Sequence, residues 1–206
     1  MSLPTRPPPC RTRSHGCKWD TGVQMTRIIA GSLGGRRLTV SGEQTRPTSD
    51  RVREALFSML DVRMDLDGAS VLDLYAGSGA LGLEAISRGA EHAVFVESDR
   101  KAAAAIRANI GVCGVGDRAT VDARRVTDFL AGSRRSFDLV LADPPYAIDD
   151  DELAKVLLHL ATSISEEGLV VLERGKRSAV TVWPEGLESL VIKIYGDTRV
   201  ELAGRA

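Results

Sequence analysis

Beyond residue 70, short apolar runs alternate with stretches of helical periodicity, and this alternation restricts the possible folds more than any other feature of the chain. Strands that alternate with helices form βαβ units, in which a mainly parallel sheet is covered by helices on both faces. The pattern therefore predicts an α/β protein. The predicted strands span 70–75, 92–97, 119–122, 137–142 and 168–173, and the predicted helices span 80–88, 99–112, 126–131 and 150–163.

The last two predicted strands, 189–195 and 198–203, depart from this alternation. Only Gly196 and Asp197 separate them, which predicts a tight antiparallel hairpin. A doubly wound sheet that ends in an antiparallel pair is the outline of the Rossmann-like, seven-stranded class I methyltransferase fold. We assign residues 67–206 to this domain.

A smaller unit is predicted to precede this domain. RIIA at 27–30 and RRLTV at 36–40 are β-rich and are separated by glycines, which predicts a hairpin. A helix over 50–60 follows, preceded by a Thr-Ser pair that serves as turn and N-cap. Together these elements form a small basic hairpin-and-helix unit over 25–66.

Residues 1–24 are proline-rich and show no apolar periodicity, so we expect a flexible extension that stems from a start codon mis-assigned upstream of Met25. Cys10, His15 and Cys17 have no fourth ligand nearby at zinc spacing, and we predict no metal site. The chain has three cysteines, an odd number, and no apolar run near the about 18 residues that span a bilayer. We therefore expect a cytoplasmic protein without membrane contact.

Basic residues are concentrated towards the N-terminus. Residues 1–60 hold ten Lys and Arg against four Asp and Glu, whereas the rest of the chain holds 17 against 24, and the net charge is −1. A basic end on an acidic body predicts a surface for a polyanion such as nucleic acid. An arginine-rich surface that contacts only solvent is the alternative.

A glycine-rich loop follows the first strand of the larger domain. Gly77, Gly79 and Gly82 form a G-x-G-x-x-G pattern between a strand and a helix, which is shared by proteins that bind NAD, FAD or S-adenosylmethionine. Glu97 ends the next strand, 20 residues after Gly77, where a carboxylate can accept hydrogen bonds from both ribose hydroxyls. A solvated strand end is the alternative for this glutamate.

Asp73 favours S-adenosylmethionine among these ligands. It lies within an apolar strand, where an unpaired carboxylate is costly. The methionine part of S-adenosylmethionine brings a cationic amino group, whereas a dinucleotide brings anionic phosphates. The alternative is a carboxylate that caps N–H groups of the loop and has no role in ligand binding.

The tetrad Asp143-Pro144-Pro145-Tyr146 follows the strand 137–142, so it lies at the same sheet edge as the glycine loop. The Asp143 carboxylate and the Pro144 carbonyl provide two acceptors, which suit the two N–H groups of an exocyclic amine. Accepting both hydrogens orients the nitrogen lone pair and stabilises the charge that develops on nitrogen. Tyr146 offers a face on which a flipped base can stack. A plain loop terminator with a surface tyrosine is the alternative.

Several blocks of the chain resemble the RsmD family of bacterial 16S rRNA (guanine-N2)-methyltransferases. The resemblance spans Met25 to about Ala203 and is carried by MTRIIAGSLGGRRL, TRPTSDRVREALF, VLDLYAGSGALGLEAISRGA, VFVESDRKA and LADPPY. It implies an enzyme that uses S-adenosylmethionine, with Asp122 and Ala123 at the adenine, and Asp143, Pro144, Pro145 and Tyr146 at the target guanine. We expect a monomer. The other cofactor-binding residues that it implies are Asp73, Ala76, Gly77, Ser78, Gly79, Glu97 and Ser98.

The family's substrate is one guanine of a 16S rRNA loop near the P site, within the small ribosomal subunit. The resemblance therefore implies that the N-terminal unit faces RNA. The arginines expected to contact it are Arg27, Arg36, Arg37, Arg46, Arg51 and Arg53.

Three other functions are weighed against this one. A DNA adenine-N6 methyltransferase also uses such a tetrad, but the chain has no sizeable insertion for reading DNA sequence. A non-catalytic rRNA-binding or assembly protein could share the fold, since fold does not determine function. An NAD-dependent dehydrogenase leaves Asp73 and the tetrad unexplained.

Overall fold

The computed structural model describes residues 24–40, 49–145 and 147–206. The predictions for residues 1–23, including Cys10 and Cys17, and those for Arg46 and Tyr146 lie outside these residues and stay predictions. Among the helices of the described ranges, none is both long and apolar enough to cross a membrane.

The centre of the fold is a seven-stranded sheet in the order β5-β4-β3-β6-β7-β9-β8. The first five strands in this order are parallel, and β9 pairs antiparallel with both β7 and β8. The predicted mainly parallel sheet with a terminal antiparallel hairpin is thus confirmed. The strands are β3 (Ser70–Leu74), β4 (His92–Val96), β5 (Ala119–Asp122), β6 (Phe137–Ala142), β7 (Ile164–Gly175), β8 (Leu187–Tyr195) and β9 (Thr198–Arg205).

Helices cover both faces of this sheet. On one face, the buried apolar side chains of the first three helices form one cluster with the sheet. On the other face, those of the last two helices form a second cluster. Both faces are buried, which explains why the strands are near-continuous apolar runs. The helices are α1 (Asp50–Leu60), α2 (Ala80–Ser87), α3 (Arg100–Cys113), α4 (Val126–Gly132) and α5 (Asp150–Leu160).

The predicted N-terminal hairpin is present, but its first strand was placed three residues too late. The structure pairs β1 (Gln24–Arg27) antiparallel with β2 (Arg37–Val40). Ile28 still pairs with Gly35 and Arg36 across the hairpin, but beyond it the N–H groups of Ile29 and Ala30 donate to the carboxylate of Glu84, at 2.7 and 3.0 Å. A side chain more than 50 residues away therefore ends the strand.

The hairpin is packed as part of the main core. Ile28 and Leu38 are fully buried in the same cluster as α2 and the sheet. Ser87 on α2 accepts from the N–H groups of Ser32 and Leu33, through its carbonyl and its hydroxyl respectively. The hairpin is thus fixed on the helix that follows the glycine loop.

The other predicted boundaries agree with the structure to within about four residues. The α1 range is as predicted, and the hydroxyl of Ser49 caps it by accepting from the Val52 N–H at 3.3 Å. The largest differences are the earlier start of β7, at Ile164, and the earlier end of α5, at Leu160.

Candidate active site

The three segments predicted to form the site meet at one edge of the sheet. The glycine loop follows β3, Glu97 follows β4, and Asp143 follows β6, and these strands are neighbours in the order β4-β3-β6. The register pairs Leu74 with both Val96 and Ala142, so all three strands end at the same level. The structure therefore brings the predicted cofactor and target residues together.

The glycines shape the loop and the helix after it. Gly79 has a φ of 76° and is the N-cap of α2, and its N–H donates to the Ala76 carbonyl at 2.6 Å. A left-handed φ favours glycine strongly. At Gly82, a Cβ atom would lie 2.4 Å from Cε1 of Phe95, so only glycine allows α2 to pack this closely on the sheet.

Glu97 is held in place by the backbone on both sides. Its Oε2 accepts from the Gly77 N–H at 2.9 Å, and its Oε1 accepts from the Asp99 N–H at 2.8 Å. Each carboxylate oxygen has a further lone pair. The side chain is half-buried, so its carboxylate stays accessible to further hydrogen-bond donors, and its predicted contact with ribose hydroxyls stays a prediction.

Asp73 is buried in β3, beneath the glycine loop. Its Oδ2 accepts from the Gly82 N–H at 2.9 Å, which is the contact expected of a loop-capping carboxylate. Burial raises the pKa of Asp73 to about 8, the negative charge of Glu97 adds to the rise, and the Gly82 hydrogen bond opposes it. Within the described ranges Asp73 takes part in no ion pair, so a cationic amino group fits this carboxylate.

Asp122, at the end of β5, is engaged by a neighbour that the sequence analysis did not identify. Both of its oxygens accept from the Arg124 guanidinium, at 2.7 Å each. These hydrogen bonds lower the pKa of Asp122. Ala123 and Ser98 are exposed. The carboxylate is thus kept as a pure acceptor, as an adenine amino group requires.

The tetrad loop is anchored at both ends. The Asp143 N–H donates to the Leu74 carbonyl at 3.4 Å, next to the glycine loop, and Asp143 is half-buried. Pro144 is buried, whereas Pro145 is exposed and its carbonyl accepts from the Ile148 N–H at 2.9 Å.

Two residues near this loop escaped the sequence analysis. Arg174, buried at the end of β7, donates to Asp150 at 3.2 Å and so fixes the start of the helix after the tetrad. Tyr75 has a φ of 57°, uncommon for a non-glycine residue, and its buried hydroxyl has no hydrogen-bond partner in the described chain. Burial raises the pKa of Tyr75 to about 12.

Asn109 on α3 was also not predicted from the sequence. Its side chain connects the hairpin to the glycine loop. Its buried side-chain amide donates to the carbonyls of Thr39 and Ser78 and accepts from the Thr39 N–H, all at 2.9 Å. No motif marks this asparagine, since its role depends on two segments far apart in sequence.

Most of the arginines predicted to contact RNA lie on the surface, among those that the structure describes. Arg37 and Arg51 are exposed, as are Arg27, which pairs with Asp50 at 2.9 Å, and Arg36, which donates to the Val112 carbonyl.

The prediction that Arg53 contacts RNA is wrong. Its side chain is 1% exposed, so it does not belong to a surface that contacts RNA. The guanidinium donates to the Arg27 carbonyl at 2.6 Å and to Asp50 at 3.0 Å. Its Nε lies 3.9 Å from Glu84 without a hydrogen bond, so this contact is electrostatic only. Helical spacing places Arg53 beside Val52 and Leu56, which face the core.

Among the described residues, no group of three His, Cys, Asp or Glu side chains is placed to hold a metal ion. The groups that the described part of the site offers to a ligand include the carboxylates of Asp73, Glu97 and Asp122.

Comparisons with known proteins agree with this geometry. The family model described as Conserved hypothetical protein 95 matches residues 26–204. The ribosomal RNA small subunit methyltransferase D of Escherichia coli K12 is 34% identical over 187 residues, which cover 90% of this chain and 92% of the relative. The protein of the same name from Haemophilus influenzae is 35% identical over 174 residues, covering 82% and 89%.

A solved structure shows the same fold. The hypothetical protein TTHA0928 of Thermus thermophilus is 34% identical to this chain and superposes with a TM-score of 0.75. The match covers 87% of this chain and 99% of that one.

Proposed function

The chain belongs to the family of Conserved hypothetical protein 95, the RsmD family, and from this premise we propose that it methylates rRNA of the small ribosomal subunit. The methyl donor is S-adenosylmethionine, and the acceptor is the exocyclic N2 of one guanine in 16S rRNA. The protein works as a cytoplasmic monomer.

The observation that carries this proposal is the adjacency of two binding regions at the ends of β3 and β6. The Asp143 N–H donates to the Leu74 carbonyl, just before the glycine loop. A cofactor held by that loop and a base held by Asp143 and Pro144 are therefore neighbours. Bringing two reactants together in this way supplies much of the rate of a transfer reaction.

The residues proposed to bind S-adenosylmethionine lie at the ends of three strands, β3, β4 and β5. Glu97 would accept hydrogen bonds from the ribose hydroxyls, Asp73 would face the cationic amino group, and Asp122 would accept a hydrogen bond from the adenine amino group. When bound, S-adenosylmethionine supplies an electrophilic methyl group on a sulfonium.

The target residues prepare the base amine. The Asp143 carboxylate and the Pro144 carbonyl accept the two N–H groups of N2, which turns the nitrogen lone pair towards the methyl group. As the N–C bond forms and the S–C bond breaks, these acceptors stabilise the positive charge on nitrogen. The amine then loses one proton, to Asp143 or to solvent. Tyr146 provides the stacking face for the guanine.

Transfer of tritiated methyl groups tests the proposal. The substrates are small ribosomal subunits that lack base methylation, naked 16S rRNA and duplex DNA. We expect label on guanine N2 in subunits. Label on DNA adenine would instead establish an adenine-N6 methyltransferase, and tight subunit binding without label would establish an assembly protein.

Asp143→Ala is the matched variant for this experiment. We expect it to abolish methyl transfer while S-adenosylmethionine binding, measured by calorimetry, stays within about three-fold of the wild type. Full activity of the variant would show that the tetrad does not carry the chemistry.

A further inference from the structure

The loop after β7 lies at the same sheet edge as the tetrad. Ala142 pairs with Leu172 in the parallel register of β6 and β7, so Lys176 and Arg177 follow beyond the level of Asp143. At about 3.3 Å per residue, Lys176 lies roughly 13 Å further along the strand direction than the end of β6. β7 borders β6 on the side away from β3 and the glycine loop.

This loop is fixed by a buried ion pair. The guanidinium of Arg199 donates to the carbonyls of Ser178 and Ala179, at 2.9 and 2.6 Å, and to Glu201 at 2.7 Å. Thr181, in the middle of the loop, which spans 176–186, donates to the same carboxylate at 2.8 Å. Arg199 and Glu201 are both buried. Burying two charges costs desolvation energy, and here they set the position of an exposed loop.

Lys176 and Arg177 are exposed on this fixed loop. The Lys176 N–H donates to the Asp197 carbonyl at 2.7 Å, which ties the loop to the β8–β9 turn as well. In the described part of the chain neither side chain takes part in an ion pair, and the buried carboxylate nearby, Glu201, is already paired with Arg199. Two adjacent cations on a fixed backbone, one strand away from Asp143 and beyond its level, suit a chain of phosphates.

We propose that Lys176 and Arg177 form a second RNA-contacting surface, which binds phosphates next to the target nucleotide on the β7 side of Asp143. The N-terminal hairpin packs on α2 and α3, which follow β3 and β4. The RNA is therefore contacted on both sides of the site. This inference rests on the proposed function, because it assumes that the base bound at Asp143 belongs to RNA.

A matched pair of variants tests the inference. K176A/R177A removes the two cations at the site edge. R134A/R135A removes another exposed adjacent pair, which precedes Phe137 at the opposite end of β6. The affinity of each variant for unmethylated small subunits and for naked 16S rRNA is measured between about 50 and 200 mM salt, with S-adenosylmethionine affinity measured by calorimetry.

We expect K176A/R177A to weaken RNA binding about ten-fold at low salt and to reduce the slope of log affinity against log salt by about 1 to 2. S-adenosylmethionine affinity should stay within two-fold. R134A/R135A should change neither quantity by more than two-fold.

Equal effects of the two double variants, or no effect of either, would overturn the inference while leaving methyl transfer by the wild type intact. Weaker binding to subunits with an unchanged salt slope and unchanged affinity for naked rRNA would also overturn it, in favour of an acidic protein partner. Failure of the wild type to methylate or bind RNA would instead refute the proposed function itself.

Discussion

Asp73 and Glu84 are two buried carboxylates on the same face of the sheet, and their surroundings differ. Glu84 accepts from two backbone N–H groups of the segment after β1 and from Arg88 at 2.9 Å, with Arg53 at 3.9 Å. Asp73 accepts from the Gly82 N–H, and no ion pair within the described ranges includes it. The chain itself neutralises Glu84, whereas Asp73 is protonated in the ligand-free protein near neutral pH and can ionise when a cationic ligand binds beside it. This difference distinguishes a carboxylate that stabilises the fold from one that binds a ligand.

Glu84→Gln should produce the largest effect on stability. A donating amide nitrogen would replace a carboxylate oxygen that now accepts from a backbone N–H group. The buried Arg53 would also lose a neighbouring negative charge. Removing one partner of a buried charged cluster costs about 3–5 kcal/mol of unfolding free energy. Urea unfolding measures this loss, and we expect S-adenosylmethionine affinity to stay within three-fold at low temperature. Glu54→Gln, on the exposed side of α1, is the control and should change stability by less than about 0.5 kcal/mol.

Asp73→Asn should show the opposite pattern. The asparagine carbonyl can still accept from Gly82, so the unfolding free energy should stay the same or rise. Loss of the charge should weaken S-adenosylmethionine binding by about 100-fold, as expected when one partner of a buried ion pair is neutralised. Calorimetry of binding checks this. A variant that unfolds as easily as Glu84→Gln but binds normally would identify Asp73 as a loop-capping residue only.

The raised pKa of Asp73, about 8, adds a pH dependence to the comparison. Between pH 4 and 8 the folded protein holds a proton on Asp73 that the unfolded chain has lost, so the stability of the ligand-free protein falls as pH rises through this range. Binding a cation requires the ionised form, so S-adenosylmethionine affinity should rise between pH 6 and 8. At pH 7, binding should release a proton.

Calorimetry in buffers of different ionisation enthalpy counts that proton. Asp73→Asn should abolish its release and should flatten the pH dependence of stability. Release of a proton by the variant as well would assign the titration to another group.

Sequence patterns predicted most of the fold because the signals that define it are local. Continuous apolar runs marked the buried strands, and the Gly196-Asp197 turn marked the terminal hairpin. The end of β1 and the burial of Arg53 could not be predicted in this way. The first depends on Glu84 and the second on the Arg27 carbonyl that Arg53 contacts, and both contacts join segments further apart in sequence than any helical or strand period.

The candidate site was predictable to a similar extent. Its main residues follow strands, and the ends of neighbouring parallel strands meet, so Glu97 and Asp143 could be placed beside the glycine loop. The residues that hold the glycine loop and the helix after the tetrad could not be found, because Asn109 and Arg174 act across long sequence separations and belong to no motif.

Arg124→Ala should have the smallest effect, and the reason completes the comparison of carboxylates. Asp122 pairs with Arg124 at 2.7 Å, but the side chain of Arg124 is 54% exposed, so water can replace most of the interaction. Arg124 lowers the pKa of Asp122, but the usual pKa of an aspartate already lies far below neutrality, so Asp122 stays ionised at pH 7 without it. Only the orientation of the carboxylate changes, and we expect calorimetry to show less than a three-fold change in S-adenosylmethionine affinity, independent of pH between 6 and 8. A larger loss would mean that Arg124 itself contacts the cofactor, and a loss near 100-fold would mean that an exposed ion pair at this edge contributes as much to binding as the buried Asp73.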